Sequence, residues 1–302
     1  MGDFVQEQQK ATNQNSDSES PGEQCSAPAG YQPVHMIGTG TFADIWLVNN
    51  ATTQQQSVWK QLRKEWHQNA TARQLLTNEN TVLLSHTSPY VVKGVAQNSN
   101  SNELPGVLQD YISGQTLEAK MGAKPLPIPQ AIWIARQAAQ GIADLNNAGY
   151  THGDIKASNI IVRPNGSVVL IDLGFSKSLQ ASVKQHNSCI MGTPEYLAPE
   201  VVSTEPQPIE MKDIYSLGVV LFKMLTGTLP FQGGTTASTL ALARRHRSPL
   251  LQRWCPHAPD KLVRLLNAML AKQPWRRPAS IKIVIRELIE LELAALSRRQ
   301  TA

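Results

Sequence analysis

An α+β fold of two lobes, a small antiparallel sheet with one helix followed by a larger and mainly helical part, is predicted by three observations. From Tyr31 onward, short runs of β-branched and aromatic residues alternate with Asn- and Gln-rich turns, the mark of half-buried strands. After Gly114 the apolar residues recur at helical spacing instead. At the junction, His152-Gly153-Asp154-Ile155-Lys156-Ala157-Ser158-Asn159 and Ile171-Asp172-Leu173-Gly174 put acids, an amide and a lysine on two loops.

The elements follow in order. Residues 1–30 are Gln, Asn, Ser, Glu and Pro with little that is apolar, a composition that cannot recover the entropy lost on ordering, so a disordered tail is expected there. Strands are expected at Phe42–Val48 and Ser57–Leu62, then a helix over Ala72–Leu84, where Leu75, Leu76, Val82 and Leu83 share a face before Ser88-Pro89 stops it. Two more strands are read at Tyr90–Ala96 and Gly106–Tyr111. Pro129–Ala148 carries Ile132, Ala135, Ala139, Ile142 and Leu145 on one face and ends at Gly149, suited to a left-handed stop. Asn159–Ile171 holds two β-branched runs about a Pro-Asn-Gly turn, a hairpin signal that returns Asp172 beside Asn159. Further helices are read at Asp213–Leu225, Lys261–Leu270 and Ile281–Leu296.

Composition narrows the class. With 302 residues and 41% hydrophobic content the chain is long enough for a real core, and its net charge is +5. The basic run Arg244, Arg245, His246, Arg247 reads as a solvated helix face, with no nucleic-acid partner expected. Cys25, Cys189 and Cys255 are odd in number and show neither disulfide nor metal spacing, which points to a reducing, cytoplasmic setting. No apolar run is long enough for a membrane span, the start Met1-Gly2-Asp3-Phe4 is no signal peptide, and Gly2 followed by Gln6 is a poor myristoylation signal.

The junction motif has the chemistry that phosphoryl transfer requires. An acceptor hydroxyl needs a carboxylate to orient it, for which Asp154 is suited, and a nucleotide's Mg²⁺ needs oxygen ligands, which Asn159 and Asp172 supply. Over about residues 31–285 the order of motifs resembles the eukaryotic-type serine/threonine protein kinase family, in a form with His-Gly-Asp in place of His-Arg-Asp that suggests a bacterial or divergent member. The resemblance implies that family's bilobal fold, with a tail at 1–30, an N-lobe at 31–112, a C-lobe at 113–297 and a short tail at 298–302. It implies ATP and Mg²⁺ as cofactors and protein Ser/Thr hydroxyls as acceptors, and leaves the oligomeric state open.

Residue by residue, Ile37-Gly38-Thr39-Gly40-Thr41-Phe42-Ala43-Asp44-Ile45 is similar to the glycine-rich loop, with Ala43 where a third glycine is usual. Val58-Trp59-Lys60 resembles the strand whose lysine holds the α- and β-phosphates, and Glu79 would be its partner in preference to Glu65, which follows too soon. Val107-Leu108-Gln109-Asp110-Tyr111-Ile112-Ser113-Gly114 looks like the interlobe hinge, with Gln109 guarding the back of the pocket and Asp110 to Ile112 facing adenine. Ile45, Val58, Leu117 and Ile161 would surround the ring. Asp154 and Lys156 would serve the acceptor and the γ-phosphate, Asn159 and Asp172 the metal, while His152 reads as a packed residue. Gly192–Glu200 resembles the peptide-receiving segment, with Thr193 beside Asp154 and Lys156, Glu200 anchored by Arg277, and Asp213 bracing the catalytic loop.

Gly153 stands where many family members have an arginine that pairs with a phosphate on the activation loop, so transfer is expected not to require that phosphate strictly. Ser176, Ser178, Ser182 and Ser188, and Ser16, Ser18 and Ser20 in the tail, remain candidate modification sites. Two rival readings are a small-molecule phosphotransferase of the aminoglycoside or choline kinase type, which shares His-Gly-Asp, and a catalytically silent scaffold. Lys156 with Gly192–Glu200 argues against the first; the presence of Lys60, Asp154, Asn159 and Asp172 together argues against the second.

Overall fold

The computed structural model describes residues 25–95, 106–180, 193–202 and 207–300. Ser16, Ser18, Ser20, Ala96, Ser182, Ser188, Cys189 and Gly192 lie outside the described residues. The N-lobe is a four-stranded antiparallel sheet in the order β1 (Tyr31–Thr39), β2 (Ala43–Asn50), β3 (Gln56–Leu62), β4 (Gly106–Asp110), with helix α1 (Ala70–Leu84) between β3 and β4 in sequence. β1 is an edge strand whose register shifts at Pro33/His35 and again at Met36/Gly38. A proline is tolerated at such an irregular edge, and the irregularity hides the alternation by which a strand is read from sequence.

The C-lobe runs through β5 (Gln115–Thr116), α2 (Leu117–Met121), α3 (Ile128–Asn147), β6 (Ile160–Val162), β7 (Val168–Leu170), α4 (Glu210–Thr226), α5 (Thr236–Arg245), α6 (Asp260–Met269) and α7 (Ile281–Gln300). Helix α3 is buried between α4, α7 and β7. Its stripe Ala131, Ile132, Ala135, Ala138, Ala139, Ile142 and Leu145 is closed to solvent, and the chain leaves it through Gly149 at φ +89. Helix α5, unread in the sequence, begins at a Thr235–Ser238 capping box and ends in exposed Arg244 and Arg245, so the basic run does form a solvated helix end.

Two expectations are corrected. Tyr90–Ala96 is not a strand among its described residues. Its backbone splits its bonds: the Leu170 N–H donates to the Tyr90 carbonyl and the Val92 N–H to the Leu170 carbonyl, whereas the Val95 N–H donates to Leu108 and the Lys93 carbonyl accepts from Asp110. A segment that changes partner halfway from the C-lobe hairpin to the N-lobe sheet cannot extend either ladder. The other correction concerns residues 25–30, assigned above to the tail. Cys25 and Ala27 pack against Val48, Trp59 and Leu108 on the outer sheet face, and the Ser26 N–H donates to Gln61 Oε1 at 2.7 Å. The aromatic surface of Trp59 compensates for what this segment lacks in apolar content of its own.

Helix α1 joins the lobes. Ala72, Leu76, Val82 and Leu83 belong to the same apolar cluster as Leu170, Leu173 and the α3 stripe. Each buried leucine contributes on the order of 1.5–3 kcal/mol, so one face of α1 is held against the C-lobe while Glu79 on that helix faces β3.

Candidate active site

Lys60 sits opposite Ile45 and Val107 in the middle of the sheet. Its Nζ lies 2.7 Å from Glu79 Oε2 and 3.0 Å from Asp172 Oδ1, so one cation bridges helix α1 to the loop after the hairpin. Glu65, the competing partner, is instead exposed and faces Arg63 at 3.3 Å. Burial works to lower the Lys60 pKa, but Asp172 and Glu79 outweigh it and hold the ammonium well above its usual range. Burial, the largest influence on Glu79, pushes its carboxyl up with help from Asp172, against Lys60. Burial also pushes Asp172 up, yet Lys60 and Lys156 prevail and hold it below the usual range. Asp172 adopts φ +65, a left-handed conformation that Asp tolerates better than most residues and that is typical of strained functional turns.

The hairpin β6–β7 places the second group. Ile160 pairs with Leu170 and Val162 with Val168, closed by Gly166 at φ +81, and the Ile171 N–H returns to the Asn159 carbonyl at 3.0 Å. Asn159 Nδ2 donates to Asp154 Oδ2 and to the Asp154 carbonyl, both at 3.0 Å. Lys156 Nζ is 2.8 Å from Asp154 Oδ2 and donates to Thr193 Oγ1 at 3.0 Å, while Thr193 Oγ1 lies 3.5 Å from Asp154 Oδ1. A carboxylate, an ammonium and the hydroxyl of Thr193 thus form one triangle.

Beneath it, Asp213 Oδ2 and Oδ1 accept the N–H groups of His152 at 2.7 Å and Gly153 at 2.9 Å. His152 is wholly buried. Its Nδ1 faces the Asp154 N–H and its Nε2 the Ile171 carbonyl, one partner that can only donate and one that can only accept. It is a packed residue with both nitrogens occupied. Arg277 donates to both Glu200 oxygens at 2.6 and 2.7 Å, and also to the carbonyls of Met211 and Ala271.

These groups line a cavity of about 280 Å³ that includes Gly40, Ala43, Lys60, Glu79, Asp154, Lys156, Asn159 and Asp172. A smaller one, about 40 Å³, shares Lys60, Glu79 and Asp172 and continues to Ile45, Val58, Gln109, Asp110, Tyr111, Ile112 and Ile161. Ile37 packs with Ile45 and Val58 above it. Gly38 pairs with Ile45 in the ladder and borders neither cavity. The Gly40 N–H donates to the Ala43 carbonyl at 2.7 Å, closing the turn between β1 and β2.

Leu117, expected against the ring, is fully buried in the C-lobe core and lines neither cavity. It opens α2, whose only route to burial is inward. Val92, Ile171, Thr41 and Phe175 were not read as site residues although they line these spaces. Val92 and Ile171 sit in runs whose β-branched character signals core and nothing more. Among the described residues, no cluster of three or more His, Cys, Asp or Glu side chains forms a metal cage.

Comparison with known proteins agrees with this geometry. Serine/threonine-protein kinase PrkC of Bacillus subtilis is 27% identical over 248 residues, covering 82% of this chain and 38% of the relative. Serine/threonine-protein kinase PkaB of Streptomyces coelicolor is 29% identical over 272 residues, 86% of this chain and 63% of the relative. Serine/threonine-protein kinase A of Synechocystis is 27% identical over 284 residues, 88% and 54% respectively. The chain therefore spans between 38% and 63% of the length of these relatives. Since the protein kinase domain family matches residues 31–289, a span holding both the lysine bridge and the Asp154 triangle, this chain belongs to that family.

Proposed function

We propose that this chain is an ATP-dependent serine/threonine protein kinase. The observation that carries the reading is the triangle of Asp154, Lys156 and Thr193 set beside the Lys60–Glu79–Asp172 bridge. Lys60, kept charged by two carboxylates, holds nucleotide phosphates, and Ile45, Val58 and Ile161 offer the adenine an apolar slot ending at the backbone of Asp110 to Ile112. Asp154 accepts and orients the acceptor hydroxyl; Lys156 offsets charge on the γ-phosphate. Thr193 ties the peptide-receiving segment to both.

The donor set suits Mg²⁺. Asp172 supplies a carboxylate and Asn159 an amide on the same cavity, and magnesium, which keeps waters and takes substrate phosphates, needs few protein ligands. When bound, it neutralises phosphate oxygens and aligns the γ-phosphoryl group for displacement. Protein hydroxyls are the acceptors, because Thr193, on the segment that Glu200 anchors to Arg277, meets both Asp154 and Lys156. Gly153 carries no side chain to clamp an activation-loop phosphate, so transfer proceeds without strict dependence on one. Cys25 and Cys255 are free thiols, in keeping with a reducing, cytoplasmic location; among the described residues no helix is long and apolar enough to cross a membrane.

The test is incubation with labelled ATP and Mg²⁺ in the presence of generic protein acceptors or small aminoalcohols. Label on protein Ser or Thr, abolished in Asp154→Asn and Asp172→Asn, is expected. Label confined to small molecules, or nucleotide binding without transfer, refutes the proposal.

A further inference from the structure

An open groove of about 500 Å³ lies between α6 and α7 on the C-lobe and shares no lining residue with the two nucleotide-side cavities. Leu265, Ala268, Pro278 and Ile283 give it an apolar lining. Lys261, Arg264 and Arg276 border it, with Glu287 as the one carboxylate. Lys261 is tied to Glu287 at 3.2 Å and also to Glu290, so these acids are already engaged. Arg264 and Arg276 are exposed and make no ion pair among the described residues.

The groove is in place before any partner arrives. At its inner wall the Arg277 guanidinium donates to Glu200 and to the carbonyls of Met211 and Ala271, while Leu265, Ile281 and Val284 are buried in the C-lobe core. Binding there orders little new structure. Beside the groove stands Trp275, which precedes Arg276 in the short turn Pro274–Arg276. At 74% exposure it is the most exposed large apolar side chain among the described residues. A single exposed leucine is ordinary on a surface, but an indole next to an unpaired guanidinium has the composition of an interface anchor.

We propose that this groove docks an acidic segment of a partner protein, in which carboxylates flank an apolar residue. The carboxylates meet Arg264 and Arg276, the apolar side chain enters the lining of Leu265, Ala268 and Ile283, and Trp275 covers one end. Arginine suits this role because its planar fork takes a carboxylate through two hydrogen bonds. Glu287 at the rim repels a uniform polyanion, which favours a peptide of mixed character. The chain's own residues 1–24 are also acidic, with Asp3, Glu7, Asp17, Glu19 and Glu23 against Lys10. They join the structure at Cys25 on the N-lobe sheet, however, whereas the groove belongs to the C-lobe, so a partner is the occupant. That such a segment recruits acceptor proteins rests on the kinase reading; peptide binding itself does not.

A fluorescein-labelled peptide, Gly-Glu-Glu-Leu-Glu-Glu-Gly, is titrated into full-length Asp154→Asn protein and followed by anisotropy. Saturable binding is expected, weakened on the order of tenfold or more by Arg264→Glu with Arg276→Glu and on the order of fivefold by Trp275→Ala. The same charge reversal at Arg244 and Arg245, which end α5, should leave it intact. Arg264→Gln with Arg276→Gln gives the comparison if charge reversal lowers the melting temperature. No saturable binding, or equal loss in the two charge-reversed proteins, overturns the proposal. So does displacement at equal affinity by a peptide of residues 1–24, which gives the groove to the chain itself. Wild-type protein is then assayed on a generic acceptor protein with and without the acidic peptide appended: KM should fall on the order of tenfold with kcat unchanged, and the fall should vanish in Arg264→Glu with Arg276→Glu. Equal transfer to both acceptors overturns recruitment and leaves the kinase reading standing. Peptide binding with no transfer to any acceptor counts against the kinase reading and leaves the docking groove standing.

Discussion

Lys60→Met removes the cation that touches both Glu79 and Asp172 while keeping most of the side-chain volume. Asp172 retains Lys156 nearby and is partly open to water, but Glu79 is 2% exposed and its Oε1 already has no hydrogen-bond partner among the described residues. A carboxylate left there without a counter-ion costs several kcal/mol, and its escape is to take up a proton. From an ordinary pKa of 4.5, that escape costs about 3.5 kcal/mol at pH 7 and about 0.7 kcal/mol at pH 5, at about 1.4 kcal/mol per pH unit. These figures are ceilings on the destabilisation by charge. The sign follows from proton counts: above 4.5 the folded variant holds a proton that its unfolded state has released, so its stability falls as pH rises. Glu79 is also raised in the wild type, by burial above all, so the gap between the two proteins opens above the wild-type value and widens upward. Urea denaturation of both proteins from pH 5 to pH 8 measures the gap. A gap independent of pH, or well beyond the ceiling at pH 7, refutes the reasoning. Labelled-ATP assays should show transfer reduced by roughly 10²-fold or more.

Other perturbations have equally definite outcomes. Glu200→Gln strips the charge from a buried bidentate pair with Arg277; a loss of about 3–5 kcal/mol should lower the melting temperature by roughly 6–15 °C, measurable by calorimetry. Gly153→Ala places a methyl against the Phe175 carbonyl at a φ of +84. It should cost about 1–3 kcal/mol and, since the neighbouring N–H groups hold Asp213, reduce kcat more than it raises KM. Gln61→Met leaves the buried Trp59 Nε1 and the Ser26 N–H without their shared acceptor. The cost is about 1–3 kcal/mol, and tryptophan fluorescence should report the loosened residue 25–27 segment before global unfolding.

Much of the site was legible because chemistry and spacing coincide there. Asp154, Lys156 and Asn159 fall on one short loop, and the Pro-Asn-Gly turn returns Asp172 beside them whatever the rest of the chain does. The Lys60–Glu79 and Glu200–Arg277 pairs were legible only through the order of motifs, since charges 19 and 77 residues apart carry no local signal. The first strand went unread because Pro33 and two register shifts break its alternation. Leu117 was misplaced because an apolar residue beside a hinge can face the ligand or the core, and only the direction of α2 decides.

By itself the sequence determined the two-lobe α+β plan, the helical period of α3, α4, α6 and α7, and which charged and amide groups gather in the candidate site. These are properties of local pattern and of residue chemistry. Tertiary structure alone decided that residues 25–27 belong to the sheet, that Tyr90–Val95 divides its hydrogen bonds between the lobes, and that Lys177 and Lys212 face one cleft behind Gly153. Each of these depends on what a distant part of the chain presents: the apolar face of Trp59, the free edge at Leu170, and the course of the backbone past Gly153.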